Sequence, residues 1–545
     1  MKKAYIAILS ASIPLVSMAQ SAIDAGQLSQ SDFRGTARFM SMGGAFTALG
    51  GDLSTLNQNP AGIGVYRSSE VGVTLDINPQ STKTSPMSNL YPFKTTQTPV
   101  ACNNFGYVGV SLLDGALKSF NWGVTYNRAV SFDRRYRGSM PEISTSMSNY
   151  IADFTNGVPY TDMLFNDKTG YNPYNNDEIP WLSTLAYSTY MITPYPGTSD
   201  QYFGMYDEYS RNGSNAIYDV SEKGHVDEYN ISFGGNVEDV VYWGLSIGIT
   251  DLDYRRYVYY SEQIINAAIQ PADSEIINAD FTNNMYNNKH IYGSGWNIKA
   301  GVIIKPINEF RIGLAVHTPT WYSLTENYFA TDEYSYTPCD FDGNPTGEEQ
   351  SDNDYTDEAY FRWKLNSPWR LMVGMAGVIG NKAIVSLDYE YKGYNSMSIK
   401  NPTFVDDWGN AQDYQANENA NSKIKDYYRG SNTLRLGVEY RVTPQFSVRA
   451  GYNVTSSNVK DEATNGSMEI ETYGTDLSFS FDKTTQNISF GLGYKYQQWY
   501  IDAAYVYTNR KSDFHAFTNW NGNIAPTNRV TDNNSSIVLS TGFRF

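Results

Sequence analysis

The chain has 545 residues and a formal charge of -17, with 45 Tyr, 25 Phe, 10 Trp and 44 Gly but four His and two Cys. So acidic a composition argues against a nucleic-acid partner, and two cysteines exclude a disulfide scaffold. Abundant Tyr and Gly with few charges suits many antiparallel strands joined by long polar loops, and the absence of any run of about 18 apolar residues excludes transmembrane helices.

The start, Met1-Lys2-Lys3 followed by a mostly apolar Ala4 to Val16 and the small-x-small site Ser17-Met18-Ala19, predicts a secretory signal peptide over 1–19 with a mature start at Gln20. An exported chain without membrane helices is periplasmic, secreted or an outer-membrane barrel. The next segment, FRGTARFMSMGGAFTALGGDLSTLNQNPAGIG, mixes apolar residues with chain breakers. Asp52 or Ser54 can cap a one-turn helix, Asn59-Pro60 turns the chain, and the glycines permit close backbone contact. Phe33, Phe39, Met40, Met42, Phe46 and Leu49 count against a disordered tail.

From Ser69 onward the pattern alternates with period two. SEVGVTLDIN places Val71, Val73, Leu75 and Ile77 on one face, and VYWGLSIGIT places Val241, Trp243, Leu245, Ile247 and Ile249 against Gly244, Ser246, Gly248 and Thr250. NIKAGVIIKP, AIVSLDYEYK and TLRLGVEYR repeat it. A soluble sandwich alternates in the same way. Three features favour a membrane barrel instead. The segments commonly reach ten residues, short and long connections alternate, and aromatic residues gather at strand ends, as in DYRRYVYYSE and WYIDAAYVYTN.

The predicted strands are 69–79, 100–113, 120–133, 226–237, 240–262, 289–305, 309–326, 358–378, 382–400, 427–442, 445–458, 485–496, 499–510 and 534–545. The expected fold is all-β: a 14-stranded antiparallel transmembrane β-barrel occupying 67–545, with residues 20–66 as a hatch inside its bore. Fourteen strands enclose more space than eight, so the lumen is either open or plugged. Long loops are expected at 79–99, 134–225, 263–288, 327–357, 401–426, 459–484 and 511–533, the second being the longest.

Other positions give weaker signals. Pro368 removes a ladder bond within the eighth strand pattern and marks a bulge. Cys102 and Cys339 leave a disulfide open as a possibility. Asp340, Asp342 and Asn344 alternate as in a calcium loop, but Pro345 stands where glycine is needed. His225, His290, His317 and His515 are scattered without metal spacing, and strand parity turns His317 inward. Arg311, Asp388, Glu390, Arg435, Glu439, Arg441, Arg449, Asp502 and Arg544 share the lumen parity, where they serve as hatch anchors, carboxylate binders or a self-compensating polar interior.

The stretch RFMSMGGAF, the following Gly-Gly-Asp and Asn59-Pro60-Ala61-Gly62 resemble the N-terminal hatch of the FadL/TodX family of outer-membrane hydrophobic-compound transporters. The resemblance continues through KPINEFRIGLAVHTP, LDYEYKGY, TLRLGVEYRVTPQFSVRAGYN and FGLGYKYQQWYIDAAYVYTNR. The Gln20 start and Tyr/Asn-rich loops are similar to the Bacteroidetes branch. The resemblance implies an outer-membrane protein for passive uptake of hydrophobic compounds such as long-chain fatty acids, without enzymatic activity or cofactor. It implies hatch and gating roles for Gly43, Gly44, Asp52, Asn59, Pro60, Ala61 and Gly62. In the family, exit is lateral, through a gap made by the third strand.

The most apolar loop stretch is IPWLSTLAYSTYMITPYPG. Trp181, Leu182, Leu185, Tyr187, Tyr190 and Met191 form either a landing surface for a hydrophobic ligand or the packing of a lid. Partners expected are a hydrophobic small molecule, outer-membrane lipid and lipopolysaccharide, around a monomer. The alternative function is a surface receptor for hemin or another hydrophobic ligand, with His225, His290 or His515 on the iron.

Overall fold

The computed structural model describes residues 21–545 except 87–92, 177, 208–209, 211–212, 272–273, 381 and 406–410. The signal peptide expected over 1–19 lies outside the described residues. The wall is a closed barrel of fourteen antiparallel strands, several in two or three pieces. β1 is Glu70–Ile77 with Gln80–Pro86, β2 is Phe93–Gln97 with Val100–Leu112, and β3 is Leu117–Ser131 with Arg134–Pro141. β4 is Asn215–Val237, β5 is Val241–Ile269, β6 is Ile277–Ile307, and β7 is Phe310–His317 with Trp321–Cys339. β8 comprises Gln350–Tyr355, Ala359–Asn366 and Arg370–Ile379; β9 is Ala383–Gly393 with Ser398–Val405; β10 is Ala411–Ala416 with Gly430–Arg441. β11 is Phe446–Thr455, β12 is Phe479–Asp482 with Thr485–Tyr496, β13 is Trp499–His515, and β14 is Thr527–Arg544.

The barrel closes where β1 pairs with β14, from Glu70 opposite Arg544 to Ile77 opposite Ile537. Closure satisfies backbone groups that a bilayer cannot hydrogen-bond. Tight turns join the strands at one end. The β4–β5 turn is Glu238-Asp239, both with positive φ, the hairpin geometry that matches strand twist. Leu245, Ile247, Ile249, Leu371, Val373, Leu539 and their neighbours form an exposed apolar belt around the outside. Trp499 against Phe543 marks the turn end of that belt, and Trp296 against Trp321 the other.

The strands extend far beyond the belt, and here the structure corrects the predicted loops. Residues 263–288 and 327–357 are largely ladder, carried by β5, β6, β7 and β8. The 134–225 loop begins and ends as strand, with 134–141 paired to the start of β4. The alternation that identifies a membrane strand changes phase at the belt edge. On β5 the outward residues turn from Ile247 and Ile249 to Asp251, Asp253 and Arg255. The inward ones turn from Ser246 and Gly248 to Leu252, Tyr254, Val258 and Tyr260. Tyr254 and Tyr260 of DYRRYVYYSE are therefore buried in the bore and lie outside the interfacial girdle.

The bore is filled. The chain from Ser21 to Val65 runs through it as α1 (Ala22–Leu28), α2 (Ala37–Ser41), α3 (Thr55–Gln58) and a 3-10 turn, Pro60–Val65. The long loop adds α4 (Met147–Thr155) and α5 (Trp181–Ser188), which cap the far end. Within β10 the chain leaves the wall as α6 (Glu418–Tyr427), whose Ala420, Ile424 and Tyr427 share a core with Ala22, Ala25 and Leu28 of α1. Cys102 and Cys339 are both free thiols, so the disulfide left open above is not formed.

Candidate functional site

The hatch touches the wall backbone to backbone. Gly43 and Gly44 have φ of +62° and +74°, a left-handed turn that only glycine adopts without strain. A side chain at Gly43 would lie 2.8 Å from the carbonyl oxygens of Leu436 and Tyr452. On the wall, a Cβ at Gly244 would overlap the Pro60 carbonyl, and one at Gly301 would overlap the Asn59 side chain. These wall glycines occupy the lumen parity of their strands, and their missing side chains make the dock.

Asn59 is the centre of the Asn-Pro-Ala-Gly knot. Its Nδ2 donates to the Thr47 carbonyl at 2.6 Å, and its Oδ1 accepts from the Ala61 N–H at 3.0 Å. Pro60 opens the 3-10 turn, where a missing N–H leaves nothing unsatisfied. The Gly62 carbonyl accepts from the Gly51 N–H at 3.1 Å. Asp52 does not cap α3. Its carboxylate accepts from the Thr36 hydroxyl at 2.8 Å and the Ser54 N–H at 2.9 Å, stapling the start of α2 to that of α3. Burial holds the Asp52 carboxyl above the usual carboxylate range, although nearby Arg38 and these hydrogen bonds pull it down.

Lumen-facing charges both anchor the hatch and compensate one another. Asp388 accepts from the Thr47 N–H at 2.7 Å, and Arg311 donates to the Leu49 carbonyl at 2.9 Å. Arg38 of α2 meets Glu439, which meets Arg449, which meets Asp502. His317 points inward, with Nε2 2.9 Å from the Gln58 carbonyl. Arg544 pairs with Glu70, and Glu390 lies between Arg370 and Arg435.

Sequence reasoning missed a second anchor, at the wall's weakest seam. The β2–β3 ladder stops at Asn104 opposite Asn127. Above it, the outer part of β3 pairs with β4 and the outer part of β2 with β1. Both strands carry a register shift there, between Thr74/Leu75 on the β1–β2 pair and Arg128/Val130 on the β3–β4 pair. Hatch residues fill the seam. Asp32 donates its N–H to the Ala129 carbonyl at 3.2 Å and accepts from the Ser131 N–H at 2.9 Å. Arg34 reaches Asp32, Asp76 and Asn103 at 3.0–3.3 Å. The only advance signal was an Asp–Arg pair inside a largely apolar plug.

Above the hatch lies a polar cavity of about 280 Å³, bounded by Arg34, Asp76, Arg435, Arg510 and Asn534 among others. Over it an apolar layer spans the bore, built from Val130, Phe132, Leu252, Ile291, Trp363 and Ile424 with their neighbours. The cap comes next. Leu182, Leu185 and Met191 are fully buried inside it, Trp181 lies between Tyr174 and Tyr328, and Tyr190 meets Tyr334 edge-on. Tyr187 packs near Tyr160 and Tyr202. Leu182, Leu185 and Met191 thus pack the inside of the cap, while Trp181, Tyr187 and Tyr190 pack against it half-buried. His225 lies near Asp227 and Asp251, His290 near Asp253, and His515 stacks on Phe479. Among the described residues no group of three or more His, Cys, Asp or Glu is placed to hold a metal.

No protein-family model and no curated protein matches the sequence. Solved structures do match. A FadL homologue from Pseudomonas aeruginosa is similar with 12% identity and a TM-score of 0.52, over 94% of this chain and 99% of that one. This chain has the FadL-type barrel fold. The Pseudomonas putida toluene transporter TodX (12% identity, TM-score 0.46, 94% and 99% covered) and the Ralstonia pickettii toluene transporter TbuX (14%, 0.44, 94% and 98%) superpose less well. At such identity the likeness is one of architecture: the FadL-type barrel with an N-terminal plug, as the hatch motifs predict.

Proposed function

We propose that the protein is an outer-membrane channel for passive uptake of hydrophobic compounds, long-chain fatty acids among them. The cap admits the ligand, the apolar layer around α1 holds it, and displacement of hatch residues 31–34 releases it sideways between β2 and β3. One observation supports this reading: an apolar layer stands over a polar cavity that reaches a seam in the wall where the β2–β3 ladder has ended and hydrogen bonds from the plug keep it closed. The energetics favour a side exit. A sixteen-carbon chain has about fifteen apolar carbons at about 0.8 kcal/mol each, so release into water costs on the order of 12 kcal/mol. Release into the bilayer avoids most of that.

The test is saturable uptake of labelled palmitate by proteoliposomes, measured beside its equilibrium binding. Filling the seam with Ala129→Trp is expected to abolish uptake and leave binding intact. Uptake unchanged in that variant would overturn the side exit. Absence of saturable binding and flux for palmitate and for smaller apolar probes would overturn the channel.

A further inference from the structure

β7, β8 and β9 all break at one height of the wall, at 318–320, 367–369 and 394–397. Pro368 sits in the middle break, where the sequence pattern placed an absent ladder bond. Below the breaks the outward side chains are those of the apolar belt. At this height Trp296 and Trp321 lie against each other with ring centroids 4.4 Å apart, the position of a headgroup-level aromatic pair.

One pleat higher the outward residues are cations: Arg362 and Lys364 on β8 and Lys400 on β9. Their direction is fixed by the alternate residues Trp363, Leu365 and Ile399, which are fully buried inside. Lys364 and Lys400 stand directly opposite each other in the ladder. Like charges so opposed repel. Three other outer-face cations have carboxylates: Arg135 has Asp219 at 2.7 Å, Arg255 has Asp253 at 3.2 Å and Arg529 has Asp513 at 2.9 Å. Among the described residues, no ion pair involves Arg362, Lys364 or Lys400. Instead the Lys364 ammonium lies 4.0 Å from the Tyr414 ring centre, and the Arg362 guanidinium 5.8 Å from that of Tyr360. Elsewhere on the wall the pattern repeats, with Lys83 opposite Lys94 and Lys511 next along the row across Thr531.

The geometry points to a docking surface for a phosphorylated glycolipid of the surrounding leaflet. One such lipid occupies each basic patch, its phosphates against the cations and its acyl chains along the belt below. The patches stand immediately above the apolar belt, so a lipid reaches both surfaces at once. A free anion would meet only exposed cations in water, where such pairing is weak. The guanidinium fork of Arg362 suits phosphate oxygens. The inference rests on the membrane belt and is independent of which cargo the lumen carries.

Native mass spectrometry of the full barrel in neutral detergent tests it. The probes are a bisphosphorylated diglucosamine glycolipid, its dephosphorylated form and inorganic phosphate. The wild type is expected to retain the phosphorylated glycolipid. Removing its phosphates is expected to lower retention at both patches about a hundredfold, and R362Q/K364Q/K400Q to do so at its own patch, so that one bound lipid fewer is retained. K83Q/K94Q/K511Q is expected to act similarly, and K364R/K400R to retain binding. The control K118Q/K305Q/K495Q, at the turn end, is expected to bind as the wild type does. Unchanged retention in the first variant, equal loss in the turn-end control, or retention of inorganic phosphate as strong as that of the glycolipid would overturn the proposal. Heat-modifiable migration checks that each variant is folded.

Discussion

The lower and upper halves of the barrel solve opposite problems with one continuous set of strands. Within the belt, the outside is apolar and the inside mixes polar groups and glycine with small apolar patches, so the plug docks through backbone contacts, hydrogen bonds and apolar contacts such as those of Phe39 and Phe46 beside Ala376, Ala504 and Val538. Above the belt, the outside is largely polar and the inside is mainly apolar with a few buried ion pairs such as Arg256 with Glu222 and Asp476, so α1, α6 and the cap pack chiefly by burial. β5 carries both regimes, with Ile247 outward and Tyr254 inward. Across the belt edge of β5 the side-chain parity is unbroken. What changes is which side of the wall excludes water.

That contrast can be broken most directly in the lower half. Gly244→Val drives a side chain into the Pro60 backbone and is expected to destabilise the docked hatch by about 3 kcal/mol, seen as faster proteolysis of residues 21–66 in an intact barrel. In the upper half, Leu185→Ala leaves a cavity in the cap and is expected to cost about 3 kcal/mol of local stability, with faster amide exchange in 147–192 and none in the hatch. Equal effects on both regions would show that they unfold as one unit.

Asp388→Ala strands the buried Thr47 N–H and is expected to loosen the hatch by about 2 kcal/mol. A pH series sharpens the polar side further. Because folding holds the Asp52 carboxyl above its usual range, the unfolded segment ionises first as pH rises. Hatch stability is therefore expected to fall between the ordinary aspartate value and the raised one. Asp52→Asn is expected to remove that contribution, which hydrogen exchange across pH 3–8 measures. The smallest effect belongs to the exposed pair: Arg135→Gln is expected to change stability by about 0.5 kcal/mol or less, read from thermal midpoints.

Much of the wall was legible because a lipid belt imposes a strict rule. Each membrane strand must show apolar residues at every second position, and that pattern located all fourteen strands. The hatch knot was legible because Asn59-Pro60 and paired glycines have few conformational uses. The strand extensions were not, since above the belt Arg255 and Tyr257 face outward together and the period-two signal loses its sign. Nor was the seam, because Asp32, Arg34, Asn103 and Ala129 are distant in the chain and no local pattern records that a ladder ends.

Sequence alone determined the number of strands, the face each turns to lipid and the presence of a compact plug before the first of them. These follow from local geometry, since period two, turn chemistry and hydrophobicity act within a few residues. Only the tertiary structure decided where β2 and β3 part, which wall glycines receive the plug, and that Leu182, Leu185 and Met191 of the long loop are buried in the cap. Those outcomes depend on contacts between segments hundreds of residues apart, where the neighbour across the bore sets whether a side chain meets water.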